Sequence, residues 1–132
     1  MRIVLGGLML LAALRLDAHH SMKAEYDENK VVALRGTITK VEWMNPHARF
    51  WIDVKDADGK TLSWEVELGS PNTLMKNFGW SKGSLKQGDS VTVEAFHARD
   101  NSNLAAAETL TLADVQVLKA DPQADWAMGG KK

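Results

Sequence analysis

Cysteine is absent from all 132 residues, which excludes disulfides, a lipid attached through an N-terminal cysteine, and thiolate metal sites. Soft-metal chemistry would fall to four His and six Met. Net charge is scarce too: 16 Lys and Arg stand against 17 Asp and Glu, for a formal charge of −1. Phosphate binding needs clustered cations, so no nucleic-acid partner is expected. Long apolar runs are missing. The best, Ile3 to Leu14, is broken off by Arg15 and Asp17, whereas a membrane span needs roughly 20 apolar residues; no lasting span is expected. There is no Gly-x-Ser-x-Gly elbow and no His-Glu-x-x-His pair. Catalysis is therefore not the leading expectation, and a structural zinc site is poorly supported.

What is present starts with that apolar run. Met1-Arg2 supplies a positive start, and about a dozen apolar or small residues follow, the length of a secretory signal. Residues 1–18 read as a signal peptide that sends the chain to the periplasm or outside the cell. Ala18 suits position −1 of a cut, while Leu16 at −3 is larger than usual. A cut after Ala13 is the competing reading. The remainder suits one folded domain, with 45% hydrophobic and 25% charged residues overall.

Residues 19–30 are polar without a sustained period and read as an arm. "VVALRGTITKVEW" (Val31 to Trp43) is rich in β-branched residues and predicts a long first strand with a bulge or sharp coil at Gly36. "ARFWIDV" alternates, with Phe50, Ile52 and Val54 on one face and Arg49, Trp51 and Asp53 on the other. "DADG" turns the chain into "KTLSWEVEL", whose Leu62, Trp64, Val66 and Leu68 share a face. Ser70, Pro71 and Gly79 then supply the N-cap, first position and stop of a short helix. A strand from Ser90 to about Ala98 follows a Gly-Asp turn, and one more strand breaks near Ala113-Asp114 into a small hairpin. Three strands, a short helix and further strands predict a mainly β fold, a small OB-like barrel of five to six strands spanning residues 31–119. A β-sandwich is the alternative. Residues 120–132 read as a tail in which Trp126 docks.

His19 and His20 are the first candidates for chemistry. A cut after Ala18 would leave the His19 amine and imidazole on one residue, a chelate suited to copper that a third imidazole would complete. With Ala18 retained as the first residue, His20 would be third, the spacing for a square-planar Cu(II) or Ni(II) site. The plainer reading is a polar start to the mature chain. His47, in "MNPHARF", is held by Pro46 just before a strand and is either that third ligand or a turn residue. His97, near Arg99 and Asp100, reads first as a solvated strand-end residue, with Asp100 placed to orient its ring if it binds metal. Met22, beside the His pair, is the soft-ligand candidate for Cu(I). Trp43, Arg49 and Trp51, with Lys40, could form an exposed aromatic and cationic face, although such Trp residues more often pack. Glu65 and Glu67 read as the solvated side of a strand.

These residues carry a resemblance to a family of small exported bacterial proteins, domain of unknown function 6152. It rests on His19-His20-Ser21 with "AEYD", on "GTITKVEWMNPH" ending in Asn45-Pro46-His47, and on "DVKDADGK". It continues through Ser70-Pro71-Asn72, Gly79-Trp80 and "SLKQGDSVTVEAF". The resemblance implies an exported β-domain of unestablished role with His19, His20 and His47 as its functional positions; His97 is not part of the pattern. The chain departs from it at Arg15-Leu16-Asp17-Ala18, which puts the exposed amine in doubt, and at Asp100-Asn101-Ser102, which alters a turn. The leading expectation is a periplasmic copper-binding module that carries or buffers the ion. The alternative is an OB-like domain that holds a protein, peptide or glycan on Trp43, Arg49 and Trp51.

Overall fold

A computed structural model describes residues 21–122. Its elements are α1 (Ser21–Glu25), β1 (Tyr26–Glu42), β2 (Arg49–Lys55), β3 (Thr61–Glu67), α2 (Pro71–Phe78), β4 (Ser90–Ala98), β5 (Leu104–Leu112) and β6 (Val117–Lys119). The strand order is β3-β2-β1-β4-β5-β6. Residues Glu65 to Glu67 of β3 also pair in parallel with Leu104 to Ala106 of β5, which closes the first five strands into a ring. The protein is thus mainly β, an OB-like barrel with one short helix between strands three and four. Strand β6 extends it by pairing with the second half of β5.

Helix α2 forms where its punctuation is written. Ser70 caps it by accepting from the Thr73 backbone N–H, Pro71 opens it, and Gly79 ends it at φ 73°. Leu74 on its inner side is fully buried. β1 differs from expectation at both ends of its first half. It starts at Tyr26, five residues before Val31, and its irregularity against β2 lies between Ile38 and Lys40 rather than at Gly36. Gly36 instead marks a close approach. It pairs with Val54 on one side and Val91 on the other, and a Cβ there would lie 1.9 Å from the Asp53 carbonyl oxygen.

Inside the ring, Phe50, Ile52, Val66, Val93, Ala105 and Leu110 are buried together as the alternation predicts. Met22, Tyr26, Phe96, Ala98 and Ala106 form a second, smaller cluster. Directly paired residues share a face of a sheet, and Phe96 pairs with Ala106, Ala106 with Glu67, and Glu67 with Arg49. This row faces outward, opposite to the Phe50–Val66–Ala105 row beside it. The segment from Met22 to Tyr26 therefore packs on the outer wall of the barrel and covers that row. Among the described residues, no helix is long and apolar enough to cross a membrane.

Candidate functional site

Two backbone hydrogen bonds lock the start of β2 to the end of β3: the Ala48 N–H donates to the Gly69 carbonyl (3.0 Å), and the Leu68 N–H donates to the Ala48 carbonyl (2.8 Å). Arg49 and Glu67 are register partners there, and His47 lies two residues before Arg49, on its side of the chain. His47 Nδ1 is 2.7 Å from Glu67 Oε1. From the wall segment, the Tyr26 hydroxyl donates to Glu67 Oε2 at 2.5 Å. Exposure is 0% for Tyr26, 7% for His47 and 8% for Glu67. The result is a buried Tyr26–Glu67–His47 chain in which one carboxylate takes a donor on each oxygen.

The electrostatics agree with an ionised Glu67. Burial by itself raises its pKa, but the hydrogen bonds from His47 and Tyr26, helped by the Arg49 guanidinium, outweigh that and hold it below its ordinary 4.5. An ionised carboxylate only accepts, so His47 Nδ1 carries the proton that it donates to Glu67. Tyr26 is held above its ordinary value, first by burial and then by the Glu67 charge. Around the chain, Arg49 Nη1 donates to Glu65 Oε1 at 2.6 Å. Glu25, at the end of α1, has a raised pKa, from burial and then from the charges of Glu67 and Glu65.

His19 and His20 lie outside the described residues. Met22 is 1% exposed and packs with Tyr26, Phe96 and Ala106, so its thioether serves the second cluster. His97 is half-buried rather than solvated. Its Nε2–H donates to the Ser102 carbonyl at 2.8 Å, and its ring packs tilted against Trp64 with centroids 5.1 Å apart. Asp100 accepts from the Ser102 N–H and hydroxyl and so shapes the turn. Trp43 packs against the main core. Trp51 carries the Lys40 ammonium 4.7 Å from its ring centre, while Lys40 also pairs with Glu42 at 2.9 Å.

Glu67 corrects the expectation of a solvated carboxylate face. Alternation places it outward, as expected, but Tyr26 and its neighbours cover that part of the wall. Glu65 is partly covered and ion-paired to Arg49. Tyr26 was not among the sequence candidates, and Glu67 was read there only as part of a solvated face. The available signal was that Tyr26 is the chain's one tyrosine. Among the described residues no group of three His, Asp or Glu is arranged to hold a metal.

No curated protein matches this sequence. Two solved structures of the S. cerevisiae mitochondrial single-stranded DNA binding protein Rim1 resemble the fold. One has a TM-score of 0.47 at 16% identity, covering 67% of this chain and 95% of that one. The other, selenomethionine-labelled, has a TM-score of 0.45 at 14% identity, covering 67% and 96%. Both are single-stranded DNA binding proteins, and the expectation of no nucleic-acid partner drawn from net charge is withdrawn. A sum of charges is silent on how they are distributed. The sequence pattern described by the model of a family of unknown function, DUF6152, matches residues 8–107. The match takes in the His pair, the Asn45-Pro46-His47 turn and all three members of the buried chain, and the protein belongs to this family.

Proposed function

We propose that the mature chain is an exported, periplasmic module that holds one copper ion through His19, His20 and His47, and that it carries or buffers the ion. The observation that carries this reading is the buried Glu67 carboxylate on His47 Nδ1. Metal-ligating histidines commonly donate their second ring N–H to a carboxylate, which fixes the tautomer and makes the other nitrogen a better ligand. Glu67 gives His47 that arrangement.

The second support is the course of the wall segment. Ser21, which follows His20, opens α1, and α1 runs directly into Tyr26. At the rise of a helix these five steps span about 8 Å, and Tyr26 touches Glu67. The described chain thus begins about 8 Å from Tyr26, the residue that reaches Glu67. Amine and imidazole nitrogens suit Cu(II) in preference to the harder divalent ions. The interaction-surface alternative has weaker support, because Trp43 packs on the core and Arg49 and Trp51 are engaged by Glu65 and Lys40.

Native intact-mass analysis of protein purified from the periplasm, with and without added Cu(II), tests the proposal. The expected species begins at His19 and keeps one copper, which His47→Ala loses. Retention of no metal by the wild-type chain, or equal retention by His47→Ala, overturns it.

A further inference from the structure

A second site lies where the loop after α2 meets the far end of β1. Trp80 anchors that loop, being 4% exposed with its indole N–H on the Lys119 carbonyl at 2.8 Å, and Leu85 is buried beneath it. Two backbone hydrogen bonds then tie the loop to β1: Gly88 N–H to the Ile38 carbonyl (2.8 Å) and Ile38 N–H to the Asp89 carbonyl (2.9 Å). Between loop and strand runs an open groove whose walls include Lys40, Glu42, Trp43, Met44, Lys82 and Lys86. Both walls are anchored, so the groove is already formed without a ligand.

Its chemistry is unlike that of the molecule as a whole. Three of these side chains are cationic and one is anionic, on a chain whose formal charge is −1. The anion, Glu42, is taken by Lys40. Lys82 and Lys86 are exposed and have no carboxylate partner among the described residues. Apolar surface lies among the charges: Met44 is 54% exposed, beside the partly buried Trp43. The backbone adds a third feature. β1 pairs with β4 only as far as Thr37, so beyond Ile38 this edge has no partner strand among the described residues.

We propose that this groove docks an acidic, extended segment of a protein partner. The lysines meet its carboxylates, Met44 takes an apolar side chain, and the edge of β1 offers main-chain groups to pair with. Single-stranded nucleic acid would also meet the lysines, but it binds chiefly by stacking bases on open aromatic faces. Trp43 packs against the core and Trp51 is covered by Lys40, which favours the peptide. This site shares no residue with the Tyr26–Glu67–His47 chain and does not depend on copper.

Fluorescence anisotropy on metal-free protein tests it with three probes: a short labelled peptide alternating glutamate and leucine, the same peptide with lysine for glutamate, and an oligothymidylate of equal length. The acidic peptide is expected to bind, to weaken with salt, and to lose roughly tenfold in affinity in the Lys82→Glu, Lys86→Glu double variant. Lys76→Glu, on the exposed side of α2, should bind as wild type, and circular dichroism should be unchanged in both variants. Absence of acidic-peptide binding, equal binding of the lysine peptide, indifference to the double substitution, or tighter binding of oligothymidylate overturns the proposal.

Discussion

His47 Nδ1 and Glu67 Oε1 stand 2.7 Å apart, both side chains shielded from water, although 20 residues separate them in the chain. The contact depends on the lock between the start of β2 and the end of β3. It makes Glu67 a positioning residue for His47. In Glu67→Gln the side chain keeps its shape but loses its charge, and affinity for the proposed copper ion should fall about 10- to 100-fold with the far-UV spectrum preserved. A competition titration against a chelator measures this, and an unchanged affinity would separate Glu67 from the metal.

Tyr26→Phe removes only the hydroxyl that Glu67 Oε2 accepts. A buried carboxylate then lacks one donor, and hydrogen bonds to charged groups contribute about 1.5–3 kcal/mol. Urea unfolding should show a loss of that size with little change in slope. A loss below about 0.5 kcal/mol would mean that water replaces the hydroxyl and that the wall segment is not closed over Glu67.

Gly36→Ala is expected to be among the costliest small substitutions in the barrel. The new Cβ would sit 1.9 Å from the Asp53 carbonyl oxygen, and that oxygen belongs to a paired strand and cannot swing aside. Forced overpacking of this kind costs roughly 1–3 kcal/mol or more. Thermal unfolding checks it, and a melting temperature equal to wild type would show that β1 and β2 can separate locally without loss.

Glu25 gives a pH test away from the proposed ligands. Its pKa is raised from the ordinary 4.5, by burial and then by Glu67 and Glu65, so the folded state favours the protonated form. The penalty on folding is absent below about 4.5, where the group is protonated in both states, and appears as pH rises through the folded value. Glu25→Gln should therefore raise the melting temperature at pH 7 and leave it unchanged near pH 4. The gain should stay below about 1 kcal/mol, because the side chain is exposed and water screens it. Stabilisation of equal size at both pH values would assign the effect to something other than charge.

The sequence by itself determined the barrel strands, α2 and their order, but not α1, which lies in the stretch that reads as an arm. Phe50, Ile52 and Val54 against Arg49, Trp51 and Asp53 define β2 by strict alternation, and Ser70, Pro71 and Gly79 write out both ends of α2. These signals are local, since each depends on backbone preferences and on a period read over a few neighbouring residues. His47 was legible as a candidate for the same reason, being held beside a proline at a strand start. The tertiary structure decided what each outward face meets. Alternation sends Glu67 to the outer face, but only the packing of Tyr26, 41 residues away, makes that face an interior. Gly36 reads as a bend until β2 crosses it, His97 as solvated until the Ser102 carbonyl and Trp64 enclose it, and a net charge of −1 conceals the lysines gathered on one groove. Burial and charge pairing depend on which residue closes from a distant strand or loop, and no local period encodes that.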